Sequence, residues 1–172
     1  FPHRIYGQHL AYLWRMPATK SWEHAFKEGK CNSEQSAFWQ PKPTEELYDL
    51  ASDPWEVRNL ANCPQHQDVL EEMRRLNRAH VLSIRDAGFL PEAEMMLRAE
   101  AAGMTIREMA QDKRLYPLER ILAAAELAGE RRPDNMPRLM ALLTDPDAGV
   151  RFWAATGCAA LGEAAAPAAG AL

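Results

Sequence analysis

The sequence has few features that would cross-link it, anchor it in a membrane or attract it to a polyanion. Its three cysteines in 172 residues are odd in number and far apart, so we expect free or buried thiols and not a disulfide framework. It has no run of about 18 apolar residues, so no transmembrane helix is predicted. A formal net charge of −4 argues against binding nucleic acid or acidic lipids through a basic face.

The composition is otherwise that of a globular protein, with 47% hydrophobic and 26% charged residues. The texture changes near residue 100, where short helical stretches separated by turn signals begin. We therefore expect two domains, over residues 1–100 and 101–172. The start at Phe1 without an initiator Met, and the alanine-rich end at Leu172, predict that both ends are cuts in a longer polypeptide.

Two segments of the first domain favour β-strands. The segment Ile5–Trp14 is dominated by β-formers and aromatic residues, and Glu46–Leu50 predicts a second short strand. After it, Asp53 is predicted to cap a helical turn, with Pro54 at the first helical position and Glu56 completing a capping box.

A long helix is predicted next. Apolar residues recur at helical spacing from Val69 to Ile84, with Asn62 as the expected N-cap and Gly88 as the stop signal. His80 falls on the apolar face and is predicted to be a core histidine with its hydrogen bonds satisfied. Because such a helix usually lies across a small sheet, the first domain is predicted to be α+β, a small antiparallel sheet with a packed long helix.

The second domain is predicted to be wholly α-helical. Thr105 and Glu108 form a capping box, and Pro117 opens a helix that Gly129 closes. The stretch from Leu139 to Leu161, with Leu-Leu-x-Asp-x-Asp-x-x-Val-Arg followed by Ala-Ala and Ala-Leu-Gly, resembles a HEAT repeat. In that family a turn Asp and an Arg opening the second helix are typical, and here they would be Asp145 or Asp147 and Arg151. Such repeats need neighbours for stability, which predicts a truncated array.

One segment is specific in both order and spacing. It reads Glu45-Glu46-Leu47-Tyr48-Asp49-Leu50, then Asp53-Pro54-Trp55-Glu56, then Asn59-Leu60-Ala61. This segment, called the turn motif below, resembles a stretch near the C-terminus of the type I sulfatases. With the aromatic- and His-rich segment before it, it is most similar to the group that includes the heparan N-sulfatases.

The resemblance implies hydrolysis of sulfate esters or sulfamates of sulfated sugars, in a protein exported to the periplasm or the extracellular space. It also implies a formylglycine nucleophile, matured from Cys-x-Pro-Ser-Arg, and a calcium ion. None of the three cysteines fits that motif. Formylglycine and calcium are therefore expected in an N-terminal catalytic domain of the same protein, with no catalytic or metal-binding residue in this chain, which alone would be inactive.

The expected contribution of this chain is to the substrate pocket. His9, Arg4 and His3 are the candidate substrate-binding residues, since guanidinium and imidazole groups suit an anionic sugar. His9 ranks first because it lies inside the predicted strand. The competing interpretation is that all three are ordinary strand residues, paired or solvated.

A second function comes from a different class. The HEAT-like part favours a non-catalytic protein-interaction module, which would bind a protein partner through a concave face. It is compatible with the sulfatase interpretation if the repeats are an accessory of the enzyme. A purely structural brace is a third possibility.

Overall fold

The structure, a computed structural model, describes residues 5–168 and residue 170. The chain divides into two compact units, Phe1–Cys63 and Pro64–Leu172. The predicted boundary at residue 100 rests on sequence texture and stays a prediction. The α-helices are α1 (Pro17–Lys27), α2 (Ser33–Ala37), α3 (Gln67–Ile84), α4 (Glu92–Ala102), α5 (Ile106–Gln111), α6 (Leu118–Gly129), α7 (Met136–Leu142) and α8 (Ala148–Leu161).

The predicted antiparallel sheet is wrong. The part of the chain that the structure describes contains no strand, only an isolated antiparallel bridge between Ile5 and Pro41. That bridge cannot extend through Pro41, which has no backbone N–H to donate. The chain turns instead, and Leu13–Arg15 forms a 3₁₀ helix, with the Leu13 amide donating to the Leu10 carbonyl at 2.9 Å.

The second predicted strand is also wrong, because its backbone groups are used locally. The amide of Leu47 donates to the side chain of Asn59, and its carbonyl accepts from the amide of Leu60 at 2.7 Å. Two such bonds join the two limbs of a loop and leave no ladder for a neighbouring strand.

The first unit is organised around Trp39, which is buried. The rings of Trp14, Trp22, Phe26 and Phe38 lie with their centroids 5.1–6.0 Å from that of Trp39. Edge-to-face and stacked arrangements at these separations are favourable for aromatic pairs. Helix α1 supplies Trp22 and Phe26, and Phe38 and Trp39 directly follow α2, so a small unit obtains its core from few, large side chains.

The long helix is confirmed, with different ends. Helix α3 begins at Gln67 after a 3₁₀ turn over Pro64–His66, and no side chain caps it, so Asn62 is not its N-cap. It ends at Ile84, where Arg85 adopts the left-handed conformation (φ 52°) before Gly88 is reached. His80 is exposed, which corrects its assignment to the core.

The predicted helices of the second half are confirmed. The capping box at α5 is present, with Thr105 accepting from the Glu108 amide while the Glu108 carboxylate accepts from the Thr105 amide. Helix α8 begins at a cap from Asp147, whose Oδ1 accepts from the Gly149 amide at 2.8 Å. A Cβ on Gly157 of α8 would lie 3.1 Å from the Ala128 Cα, so glycine allows α8 to approach α6 closely.

One partly buried ionic cluster joins several elements of the second unit. Arg98 of α4 lies 2.7 Å from Glu94 and 3.0 Å from Asp147, and it also donates to the carbonyl of Leu115 at 2.7 Å. Burial raises the pKa of the Asp147 carboxyl, but the hydrogen bond and charge of Arg98 outweigh it, so the net shift is downward. The cluster therefore ties α4 to the start of α8.

Candidate functional site

The turn motif is held together by the side chain of Asn59. Its Oδ1 accepts from the amides of Leu47 (3.0 Å) and Ala61 (2.9 Å), while its Nδ2 donates to the carbonyl of Glu45 at 2.8 Å. One amide group thus spans both limbs of the loop and replaces the backbone pairing that a strand would have made. Leu47 and Ala61, on either side of it, are buried.

The carboxylates of the motif also bind the backbone, but not as predicted. Asp53 does not cap a helix: its buried carboxylate accepts from the amide of Arg58 at 2.8 Å, across a turn in which the Glu56 amide donates to the Asp53 carbonyl. Glu56 has a positive φ of 54°, so its backbone does not start a helix. Asp49 accepts from the Ala51 amide and from the Ser52 hydroxyl, which forms an Asx turn.

The surface of the motif is acidic and partly apolar. Trp55 is 84% exposed. Burial raises the pKa of the Tyr48 hydroxyl, and the charges of Glu46, Glu56 and Asp53 add to that shift. The carboxylates of the motif therefore give this surface a negative potential around Tyr48.

His9 is exposed and lies against an aromatic ring. Its centroid is 4.4 Å from that of Trp14, with the planes tilted by 37°. Trp14 is fixed in turn, since its Nε1 donates to Glu23 at 2.9 Å, and the other Glu23 oxygen lies 2.8 Å from the Nζ of Lys27. The hydrogen bond from Lys27, then that from Trp14, holds the pKa of Glu23 below its ordinary value. The arrangement holds an accessible imidazole against a Trp14 ring that Glu23, kept ionised by Lys27, fixes in place.

The other two candidates cannot be placed. Arg4 and His3 lie outside the described residues. Of the three predicted substrate-binding residues, the structure therefore describes only His9, and their proximity stays a prediction. His9 was predicted to lie in a strand, and this is wrong. It lies in an irregular segment just before the Leu13–Arg15 3₁₀ helix.

Several other expectations concern chemistry at single residues. The thiols of Cys31 and Cys158 are free, as predicted, and Cys158 is buried. Among residues 5–168 and 170, no group of three His, Cys, Asp or Glu side chains converges as a metal site would require. Within the same residues, no helix combines the length and apolarity needed to cross a bilayer.

Asn59 is the residue that sequence reasoning missed. The motif contains Asn-Leu-Ala at a fixed distance from Glu-Leu-Tyr-Asp, and Asn side chains commonly bond backbone groups near turns. Residue type therefore signalled a local bond. The identity of its partners, 12 and 14 residues away in sequence, required the folded chain.

Comparison with known proteins identifies a similar curated protein. An ulvan-active sulfatase of Formosa agariphila is 38% identical over 96 residues, a match that covers 55% of this chain and 16% of that protein. The chain therefore corresponds to about a sixth of the relative's length and contains a sulfatase-related segment. No family model and no solved structure matches the chain.

Proposed function

We propose that this chain is a C-terminal portion of a sulfatase that hydrolyses sulfate esters or sulfamates of sulfated sugars. The observation that carries the proposal is the 38% identity to an ulvan-active sulfatase. The order and spacing of the turn motif point to the same family. In this proposal the formylglycine nucleophile and the calcium ion belong to a catalytic domain outside this chain, and the protein is exported.

An exposed apolar stripe on α3 supports contact between this chain and another domain of the sulfatase. Val69, Met73, Leu76 and Ile84 recur along one face of α3 and are each 48–54% exposed. Four such side chains on one helix face form a patch that a soluble protein normally covers. We assign this cover to the remainder of the sulfatase.

A comparison of the same substitution in two contexts tests this assignment. In the isolated 172-residue chain, Leu76→Glu should change the free energy of unfolding by less than about 0.5 kcal/mol, because the side chain is exposed. In the longer protein it should cost about 2 kcal/mol or more, because a charge would enter an interface. Ala79→Glu introduces the same charge at an exposed position of α3, about 100° around the helix from the middle of the stripe, and should be neutral in both. Equal, small effects of Leu76→Glu in both contexts would refute the contact.

His9 is the proposed substrate-binding residue of this chain. It is accessible, and the Trp14 ring restricts its orientation, so its imidazole can hydrogen-bond a sulfate or hydroxyl group. In the longer protein, His9→Ala should raise KM for a sulfated polysaccharide several-fold and leave kcat nearly unchanged, since uniform binding is lost. His24→Ala is the matched control, because His24 is exposed on α1 and pairs with Glu28 at 3.3 Å.

Two results would overturn the sulfatase proposal itself. One is a coding region upstream of Phe1 that lacks Cys- or Ser-x-Pro-Ser-Arg. The other is absence of sulfate release by the longer protein from any sulfated saccharide tested with calcium present. Calcium-dependent sulfate release by the 172-residue chain alone would contradict the placement of the nucleophile outside it.

A further inference from the structure

An open groove between α6 and α7, with arginines on its rim, is not used by the proposed sulfatase function. Its volume is about 430 Å³, within the range of ligand-binding clefts. It is lined by two four-residue sets, each with spacing i, i+3, i+4, i+7: Arg120, Ala123, Ala124 and Leu127 on α6, and Arg138, Ala141, Leu142 and Asp145 along and just after α7. Val150 of α8 completes the lining.

The two helices run in opposite directions along the groove. Arg120, near the start of α6, donates from Nη2 to both carboxylate oxygens of Asp145, at 2.7 and 2.6 Å, just beyond the end of α7. The short connection between the helices agrees with this arrangement. The two arginines therefore mark opposite ends of the groove, separated by about 10 Å, the length of two helical turns.

The floor is apolar, and its entrance is formed by small side chains. Ala124, Leu127 and Val150 are buried, whereas Ala123 and Ala141 are exposed. Alanine at these wall positions leaves room for the side chains of another molecule. No aromatic ring lines the groove, so it lacks the surface on which sugars usually stack.

The guanidinium groups define the charge of the ligand. Arg138 has no carboxylate partner in the described part of the chain, and its nearest polar contact is the Asn135 Oδ1 at 3.5 Å. Asp145 binds Arg120 only through Nη2, so Nε and Nη1 of Arg120 have no partner in the described part of the chain and its half-exposed guanidinium can accept a second acid; the Asp145 Oδ1 is also held by the Asp147 amide at 2.8 Å. The rim therefore carries a net positive charge beside an apolar floor.

We propose that this groove binds an amphipathic helix of a protein partner, with two acidic residues seven positions apart and apolar residues between them. Acids at i and i+7 lie about 10 Å apart on one helix face and reach both arginines. Apolar residues at i+3 and i+4 would then enter the groove between them. Charge complementarity selects this occupant over a neutral or basic helix.

The test uses the 172-residue chain and a fluorescein-labelled synthetic peptide of alanine and glutamine. The peptide carries two glutamates seven positions apart with two leucines between them, and a control peptide has glutamines in place of the glutamates. Fluorescence anisotropy should give a Kd in the micromolar range for the first and at least fivefold weaker binding for the second. No saturable binding up to about 1 mM would overturn the proposal.

Three variants distinguish binding in the groove from non-specific attraction by the net charge of the chain. Arg138→Glu should weaken binding about tenfold, whereas Arg107→Glu, the same exposed substitution on α5, should leave it unchanged. Ala141→Trp should block binding by filling the groove while both arginines remain, with the melting temperature confirming that the variant folds. If Arg107→Glu and Arg138→Glu weaken binding equally, the peptide is held by net charge and the proposal fails.

Other occupants give distinct results. If dextran sulfate binds more tightly than the peptide, and Ala141→Trp does not affect its binding, the groove is a polyanion surface and not a helix site. If light scattering shows a dimer that Ala141→Trp dissociates, the occupant is a second copy of this chain. Either result would overturn the partner helix, and neither bears on sulfatase activity of the longer protein.

Discussion

Replacement of Asn59 by alanine tests whether one side chain holds the turn motif together. The substitution removes two bonds from backbone amides and one bond to a backbone carbonyl, with lengths of 2.8–3.0 Å. A typical intramolecular hydrogen bond contributes about 0.5–1.5 kcal/mol net. Because Asn59 is exposed, the lower half of that range applies. The three bonds together give about 2 kcal/mol.

Asn59→Asp separates the contribution of the two accepted hydrogen bonds from that of the donated one. A carboxylate keeps an acceptor for the amides of Leu47 and Ala61 but loses the N–H that reaches the Glu45 carbonyl. We therefore expect a cost of about 1 kcal/mol, between wild type and alanine. The predicted order of stability is asparagine, then aspartate, then alanine.

Amide hydrogen exchange followed by NMR measures this locally. A loss of about 2 kcal/mol corresponds to roughly thirtyfold faster exchange at the amides of Leu47 and Ala61 if they exchange through opening of the motif. Asn62→Ala, the same substitution three residues on, is the control, because the Asn62 side chain takes no part in these three bonds. If exchange at both amides changes by less than about twofold in Asn59→Ala, or if aspartate is as damaging as alanine, the clamp is refuted.

Three further predictions concern the second unit. Arg98→Met should lower the free energy of unfolding by about 1.5–3 kcal/mol in urea titrations, because the partly buried carboxylates of Glu94 and Asp147 would lose their charged hydrogen-bond partner; a loss below about 0.5 kcal/mol would contradict this. Asp147 has a lowered folded pKa, so its stabilisation is complete above its unfolded pKa, near 4, and is lost as pH falls through the folded value; Asp147→Asn should flatten the melting temperature across that acid range. Burial raises the pKa of Tyr116, whose hydroxyl donates to the Asp86 carbonyl, so this one of the four tyrosines should titrate at more alkaline pH than the others or only on unfolding. The stability contributed by its neutral hydroxyl is present below about pH 10 and is lost as pH rises. Tyr116→Phe should remove that late step in ultraviolet titration and cost about 1 kcal/mol.

The helices were predictable because their signals are local. The spacing from Val69 to Ile84 and the capping box at Thr105 each lie within one helix, so neighbouring residues determine the outcome. Helix ends were less predictable, since α3 begins with a 3₁₀ turn and no side-chain cap. The left-handed Arg85 that ends it has no sequence signal comparable to glycine.

The sheet was not predictable, because a strand requires a partner that its own sequence does not specify. Ile5–Trp14 has the composition of a strand, but its aromatic Trp14 packs on Trp39 and its hydrogen bond goes to Glu23. Glu46–Leu50 has the same composition bias, but Asn59 takes the Leu47 amide. In both cases side chains from elsewhere in the unit override a β-propensity worth about 1 kcal/mol at most.

The candidate site shows the same division. That His9 is exposed follows from no pattern in the sequence, and its contact with Trp14 depends on the turn at Leu13–Arg15. Asp53 was expected to bond a nearby amide, and it does, but to Arg58 across a loop and not to the start of a helix. Residue type therefore predicted the kind of bond, and the fold determined its partner.

The hydrogen bonds within the turn motif explain why its residues occur at this spacing. Asp49, Asp53 and Asn59, three polar residues of the motif, all bind main-chain groups within the loop itself. Their spacing is therefore explained by folding of the loop, without any contact to a substrate. It follows that the motif identifies a sulfatase-related structure but not an active enzyme. If this is correct, Asn59→Ala in the longer protein should lower thermal stability without changing KM per folded molecule, whereas His9→Ala should do the reverse. An unchanged melting temperature with a raised KM in Asn59→Ala would show that the motif contacts the substrate after all.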